Sequence, residues 1–416
     1  MRFPTNKYIE FIKNTKKPFF LYDGEILEKK YKLIKDNFPE EIDVFFSMKA
    51  NPNINFIKIF KNIGAGLEIA SVGELTACLK MGVNPKKIVF AGPAKSIEGL
   101  TLAVENSIYS INIESIQELK RVDKIAEKLN KKQVVNLRIN PKFKIENSLL
   151  QMGGGAMKFG IDEDQLIELK EEMNSFKNII IDGIHVFAAS QILKEELIIE
   201  YFENAFKLLR KVENTIGIKV KTIDIGSGFG IDYEKKNNEL NMVSIGKNLK
   251  DVFNKNRDIL DRDNFKVILE SGRYLSAESG VYVTEVTDIK TSIDKKFVLV
   301  KGGINHLLRP ALIKHSHKIE VLNENIENDV VSIGGQLCTG LDFFAIDQIL
   351  PKMEIGDIIT ILDAGAYGYS ESMLYFLSHD FPSEYLAYKT EINMIRKSKN
   401  SIDIINEQIE LSELII

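Results

Sequence analysis

The chain has 416 residues, long for one domain, with 44% hydrophobic and 27% charged residues and a net charge of −4, so it reads as an ordinary globular protein of one large and one smaller domain, without the electrostatic footprint of a nucleic-acid or membrane-surface binder. Two cysteines, Cys78 and Cys338, are too few for a disulfide framework and fit a reducing cytoplasm. The opening MRFPTNKYIEFIKN lacks the apolar core of a signal peptide, and no apolar run approaches the ~18 residues of a membrane span, so a cytosolic location is expected.

Eight short apolar runs follow in chain order: VFFSMKA (44–50), GLEIAS (66–71), IVFAGP (88–93), SINIES (110–115), VVNLRIN (134–140), GIHVFAAS (183–190), TIDIGSGF (222–229) and VILESGR (267–273). The first four start at positions 44, 66, 88 and 110, the repeat of a strand, a helix and two loops. Between them lie amphipathic patterns such as VGELTACLKMGV (72–83) and SIQELKRVDKIAEKLNKK (115–132). Near-continuous apolar strands alternating with helices predict a parallel sheet, and eight such units predict a closed (β/α)8 barrel over about 25–275. After 275 the period changes. The segments 280–293, 295–303, 318–323, 329–335 and 357–364 alternate every second residue with few helices between, which predicts a mostly antiparallel β domain. The first 24 residues, including PFFLYD, precede the eight runs; they are grouped with 276–416, and are also a candidate for one strand of the barrel.

Chemistry in such barrels gathers at the carboxyl ends of the strands. Here those ends carry Lys49, Glu68, Ser71, Arg138, His185, Ser190, Gly226, Gly228, Glu270 and Arg273. Any one of them could be a cap or a satisfied core residue; the whole set at one rim is poorly explained that way. Lys49, at the end of a buried run, is expected to be desolvated, which would lower its basicity and suit an amine that condenses with an aldehyde. The alternative is a lysine that snorkels to water. IDIGSGFG (223–230) runs a strand into a glycine-rich turn, which can present backbone N–H groups to an anion. Glu270 in LESGR requires a cation or a protonated heterocycle, and Arg273 could be that cation.

Together these residues resemble those of the fold-type III pyridoxal-phosphate decarboxylases, the group that includes diaminopimelate and ornithine decarboxylases. The resemblance runs from PFFLYD to GAYGYS. Within the group, MGGGAMKFGID (152–162), GIHVFAASQ (183–191) and LCTGLDFFA (337–345) look like the branch acting on an amino acid carried by an acyl-carrier protein. The resemblance implies a TIM-like barrel with a second β domain, pyridoxal 5'-phosphate as cofactor, a homodimer with shared active sites and no metal. By the same resemblance, Lys49 in SMKANPN would hold the cofactor covalently, and Glu68 and Glu74 would line the cofactor and the entrance. His185 would lie beside the pyridine ring, with Phe187 at a stacking position usually occupied by histidine. Ser190 and Gly226–Ser227–Gly228 would hold the phosphate, Ser227 replacing a glycine. Glu270, Gly272 and Arg273 match a Glu-Pro-Gly-Arg signature with Ser271 for proline, Glu270 pairing with the ring nitrogen. Arg309 in LLRPAL would meet a substrate carboxylate, Tyr367 in DAGAYG the phosphate and substrate, and Arg273 the substrate as well. Cys338 in GGQLCTGLD would reach the neighbouring subunit's site and return a proton to the α-carbon; otherwise it reads as a small buried hydrophobe.

Two departures bear on substrate. Thr339 stands where diaminopimelate decarboxylases usually have glutamate, and Ile313 where they usually have tyrosine. Loss of both argues against a substrate with a free zwitterionic end. Competing readings are a diaminopimelate decarboxylase, a cofactor-free barrel aldolase using Lys49, a racemase, and a non-catalytic homologue.

Overall fold

The structure, a computed structural model, describes residues 2–145, 150–234, 236, 239–314 and 316–410. It has two compact units, one comprising Leu27–Asp232 and Asn237–Leu275, the other Met1–Ile26, Tyr233–Lys236 and Ser276–Ile416. Among the described residues no helix is long and apolar enough to cross a membrane.

Strand β1 (Phe19–Asp23) opens the β structure of the chain. The barrel strands follow as β2 (Ile42–Ser47), β3 (Gly66–Ile69), β4 (Ile88–Phe90), β5 (Ser110–Ile113), β6 (Gln133–Asn140), β7 (Ile179–Val186), β8 (Thr222–Gly226) and β9 (Lys266–Ser271). Each pairs in parallel with the next, and β9 returns to β2, with Glu270 opposite Phe45. All eight apolar runs became barrel strands. They are buried on both faces by helices outside and side chains within, so a continuous apolar run is what such a strand requires.

Short connections are fixed by caps that can be read locally. Helices α1 (Ile54–Asn62), α2 (Val72–Lys80), α3 (Ile97–Glu105) and α4 (Ile116–Lys128) begin at Asn53, Ser71, Ser96 and Ser115, whose side chains each accept a first-turn backbone N–H. At Ser71 and Ser115 a glutamate three residues on reaches back, Glu74 accepting from the Ala70 N–H at 2.7 Å and Glu118 from the Glu114 N–H at 2.8 Å. These caps close the strand-to-helix turns immediately after the catalytic-end residues. Outside the barrel wall Phe46 stacks on Phe60 with ring centroids 4.1 Å apart, seating α1 against β2.

In the other unit β10 (Gly280–Ser292), β11 (Lys295–Val300), β12 (Ile319–Val321), β13 (Asn328–Gly334), β14 (Phe343–Pro351), β15 (Ile358–Ile361), β16 (Ser383–Tyr388) and β17 (Glu391–Arg396) join β1 in one sheet. The pairings are antiparallel except β1 with β16 and β11 with β13. β1 is a correction to the idea that PFFLYD completes the barrel. It is hydrogen-bonded between β10 and β16, and the eight later strands close on themselves, leaving no edge for it. Its Phe19 and Leu21 pack with Phe3, Ile12, Val281 and Val283. β14, β16 and β17 were not among the strands predicted from sequence. β14 and β17 carry many exposed positions, so neither shows the apolar alternation that marks a half-buried strand.

Candidate active site

Lys49 lies in the one-turn helix Met48–Ala50 that follows β2. Strand register puts Ser47 beside Glu68 at the end of β3, and the Lys49 Nζ donates to both Glu68 oxygens, at 3.0 and 2.8 Å. The lysine side chain is 40% exposed and its carboxylate partner 1%. This corrects the expectation of a desolvated lysine: the amine is half-open, and what acts on it is a buried counter-ion. Phe187 places its ring 5.8 Å from the same Nζ. Glu74 lies on α2 nearby. Burial pushes its carboxyl up to about 7, the Glu68 charge adding to this and the Ala70 N–H and Lys49 opposing it.

His185 on β7 and Glu270 on β9, the strands on either side of β8, meet with Nε2 3.4 Å from Oε2, both nearly fully buried. Burial would raise the Glu270 carboxyl. The pair with His185, the Lys49 charge and hydrogen bonding from Asp224 together hold it below the usual carboxylate range instead. His185 Nδ1 has no hydrogen-bond partner among the described residues. The chain beyond β7 is pinned by Tyr201 of α5 (Glu195–Ile216), whose hydroxyl donates to the Val186 carbonyl at 2.8 Å and accepts from the Ala188 N–H at 3.1 Å. That contact fixes Phe187 and Ser190, the latter half-buried on a two-residue strand paired with 150–151.

The Gly226–Ser227–Gly228 turn is tightly built. A Cβ at Gly226 would lie 2.3 Å from Phe187 Cδ2, and Gly228, at φ +67°, comes so near the Ala189 carbonyl that a Cβ would lie 2.7 Å from its oxygen. The Ser227 N–H donates to the Glu270 carbonyl at 2.8 Å, so that one donor of the turn serves the barrel itself. Gly272 lets the segment carrying Arg273 close on the Lys49 turn, since a Cβ there would lie 2.9 Å from Ala50 Cβ. Arg273 is buried.

Arg138 (β6) pairs with Glu114 at 2.7 Å and stacks on Phe159, and Glu114 also accepts from the Gly160 N–H at 2.7 Å. This holds part of the MGGGAMKFGID segment against the barrel. Lys95 is paired with Glu118 at 3.0 Å.

Arg309, Tyr367 and Cys338 belong to the other unit. There the Arg309 Nη1 donates to both oxygens of Glu371, at 3.0 and 3.2 Å, and its guanidinium lies 4.8 Å above the Tyr367 ring. Cys338 is an exposed free thiol rather than a buried hydrophobe. The structure thus brings Lys49, Glu68, Phe187, His185, Gly226, Ser227, Glu270 and Gly272 to one barrel rim, while Arg309, Tyr367 and Cys338 are residues of the other unit.

Sequence reasoning missed Asp224, Asn112 and Asn136, all fully buried. The signal was present: each is a polar residue inside an apolar run, at TIDIG, SINI and VVNL.

The rim fits a phosphorylated pyridine aldehyde. It offers an amine beside an acid, a buried carboxylate for a protonated ring nitrogen, an imidazole with an unsatisfied nitrogen, and a glycine turn without room for side chains. The family described as pyridoxal-dependent decarboxylase, pyridoxal binding domain, matches residues 24–277. The chain is 34% identical to L-glutamyl-[BtrI acyl-carrier protein] decarboxylase of Niallia circulans, over 94% of each chain. It is 31% identical to the diaminopimelate decarboxylase of Aquifex aeolicus, over 95% of this chain and 92% of that one. The crystal structure of diaminopimelate decarboxylase from Helicobacter pylori complexed with L-lysine superposes with a TM-score of 0.87 at 30% identity, covering 96% of this chain and 98% of the other. On its fold, its rim and these relatives, the chain belongs to the pyridoxal-dependent decarboxylases and is a pyridoxal-phosphate enzyme that decarboxylates an amino acid.

Proposed function

We propose that this enzyme removes the α-carboxylate of an amino acid whose far end is carried by an acyl-carrier protein, as a cytoplasmic homodimer with shared active sites. The observation that carries the substrate reading is the Arg309–Glu371 pair. The family resemblance gives Arg309 to a substrate carboxylate, but here a carboxylate of the chain already neutralises it. A substrate ending in a neutral thioester or amide needs no such cation, whereas a free diacid does. Thr339 and Ile313, which offer no charge to a distal ammonium, point the same way. The relative from Niallia circulans acts on a glutamyl carrier protein by its name. The diaminopimelate decarboxylases among the relatives favour a second reading, free diaminopimelate.

The roles follow from the geometry and the resemblance. Glu68, at hydrogen-bond distance, takes a proton from Lys49 Nζ and leaves a neutral, nucleophilic amine that holds the cofactor. Glu270, kept ionised, would face the ring nitrogen; His185 would lie beside the ring and Phe187 would stack on it; Ser190 and the 226–228 turn would receive the phosphate. Bound pyridoxal phosphate supplies the electron sink for the pair left by the departing carboxylate. Arg273 and Tyr367 orient the substrate, and Cys338, from a partner chain, delivers the proton to the α-carbon.

The test is mass spectrometry of products from free diaminopimelate, ornithine, free glutamate and glutamate loaded on an acyl-carrier protein. Loss of carbon dioxide from the loaded carrier, with the free amino acids inert, supports the proposal; turnover of free diaminopimelate alone refutes it.

A further inference from the structure

Asp224 has no role in the scheme above, yet it is buried completely at the centre of the barrel. β8 places it level with His185 on β7, and Glu270 lies on β9, the strand on its other side. Polar atoms of Asp224, His185 and Glu270 all lie within 4.8 Å of one another. The Asp224 Oδ2 accepts from Asn112 Nδ2 at 2.8 Å, and the same nitrogen is 3.5 Å from Glu270 Oε1. Asn112 Oδ1 in turn accepts from Asn136 Nδ2 at 3.0 Å, which also donates to Ser110 at 3.0 Å. A chain of neutral amides from β6 and β5 therefore ends on two carboxyl groups.

Two carboxylates this close in a dry interior cannot both be ionised, so a proton stays on one. The surroundings decide which. Glu270 has His185 at 3.4 Å and the field of Lys49. Among the described residues, the neutral Asn112 is the one side-chain donor to Asp224, with Glu270 and Glu68 as neighbouring acids. Burial and the Glu270 charge push the Asp224 carboxyl far above its ordinary range. Its Oδ1 has no partner among the described residues, and a proton on this carboxyl makes it a donor to the neighbouring Glu270.

We propose that Asp224 is a positioning residue, a neutral carboxyl that donates to Glu270 and so fixes that carboxylate's charge and orientation for the ring nitrogen of the cofactor. A Glu270 that already accepts from Asp224 is a weaker base and leaves the proton on the ring. The proposal rests on the reading of Glu270 given above, and its first test does not depend on that reading or on any substrate.

Infrared spectra of the full-length apoprotein at about pH 8.5, where Glu74 is ionised, should contain the carbonyl stretch of an un-ionised carboxyl. Asp224→Asn should remove it and Glu74→Gln should not. A spectrum without that band, as a cation held among the three side chains would give, or a band that survives Asp224→Asn, overturns the proposal. The second arm is pyridoxal-phosphate affinity by fluorescence titration, with circular dichroism as the check on folding. Asp224→Asn keeps a donor and should bind within about threefold of wild type, whereas Asp224→Ala should bind at least about tenfold more weakly, equivalent to about 1.4 kcal/mol. Equal binding by both variants overturns the positioning role. Glu270→Gln with unchanged affinity would instead remove the reading of Glu270, leaving the infrared result to stand by itself. Should Asp224→Ala not fold, the infrared band and the affinity of Asp224→Asn still decide: loss of the band with affinity kept supports the proposal, and more than about tenfold weaker binding counts against it.

Discussion

The amine of Lys49 is bound by both oxygens of Glu68, at 2.8 and 3.0 Å, across two adjacent barrel strands, and this pair has one open partner and one buried partner. The open lysine can be approached by an aldehyde while the buried acid stays in place to receive its proton.

Lys49→Ala should abolish the visible absorbance of bound cofactor and lower turnover by about 10³-fold or more, because no other residue supplies the covalent attachment. Glu68→Gln should keep the absorbance, since an amide still reaches Nζ, and slow turnover by about 10²-fold through loss of the proton acceptor. Spectra and rates recorded on the same preparations separate the two effects.

Gly228→Ala should lower stability by about 1–3 kcal/mol. The left-handed backbone at φ +67° and the nearby Ala189 carbonyl both resist a Cβ. Thermal unfolding of the apoprotein reads the loss, and phosphate-dependent binding of the cofactor should weaken with it.

Glu371→Gln should free the Arg309 guanidinium for a substrate carboxylate. The expected outcome is a rise of about tenfold in kcat/KM for free glutamate, carried mainly by KM, with no rise for the carrier-linked form. An unchanged preference would mean that the resident ion pair does not set specificity.

Stability should depend on pH through Glu74. Its folded carboxyl titrates at about 7 against an ordinary 4.5, so the folded state holds the proton more tightly. The associated stabilisation is complete below about pH 4.5 and is lost as pH rises through 7. Glu74→Gln keeps the capping contact and does not titrate. Its melting temperature relative to wild type should therefore climb by about 2–4 °C between pH 5 and pH 8, measured on the apoprotein.

The eight barrel strands and most of the rim were legible because buried parallel strands need uninterrupted apolar runs, and a charged residue at the end of such a run is conspicuous. Lys49, Glu68, His185 and Glu270 stood out in that way. β14 and β17 did not, because many of their side chains face solvent and their backbone pairing leaves no apolar period. Asp224 was passed over for the opposite reason: one acid in TIDIG looks like noise until the partner across the ladder is known.

The sequence alone determined the eight barrel strands, the amphipathic helices between them and the residue types available at the barrel rim. These are local matters of periodicity, propensity and spacing. Only the tertiary structure decided that PFFLYD joins the antiparallel sheet, that Lys49 answers to Glu68 rather than to desolvation, that Arg309 is already neutralised, and that Asp224 stands against Glu270. Each of those depends on which distant segments pair, and charge interactions are set by separation through space, which chain order does not record.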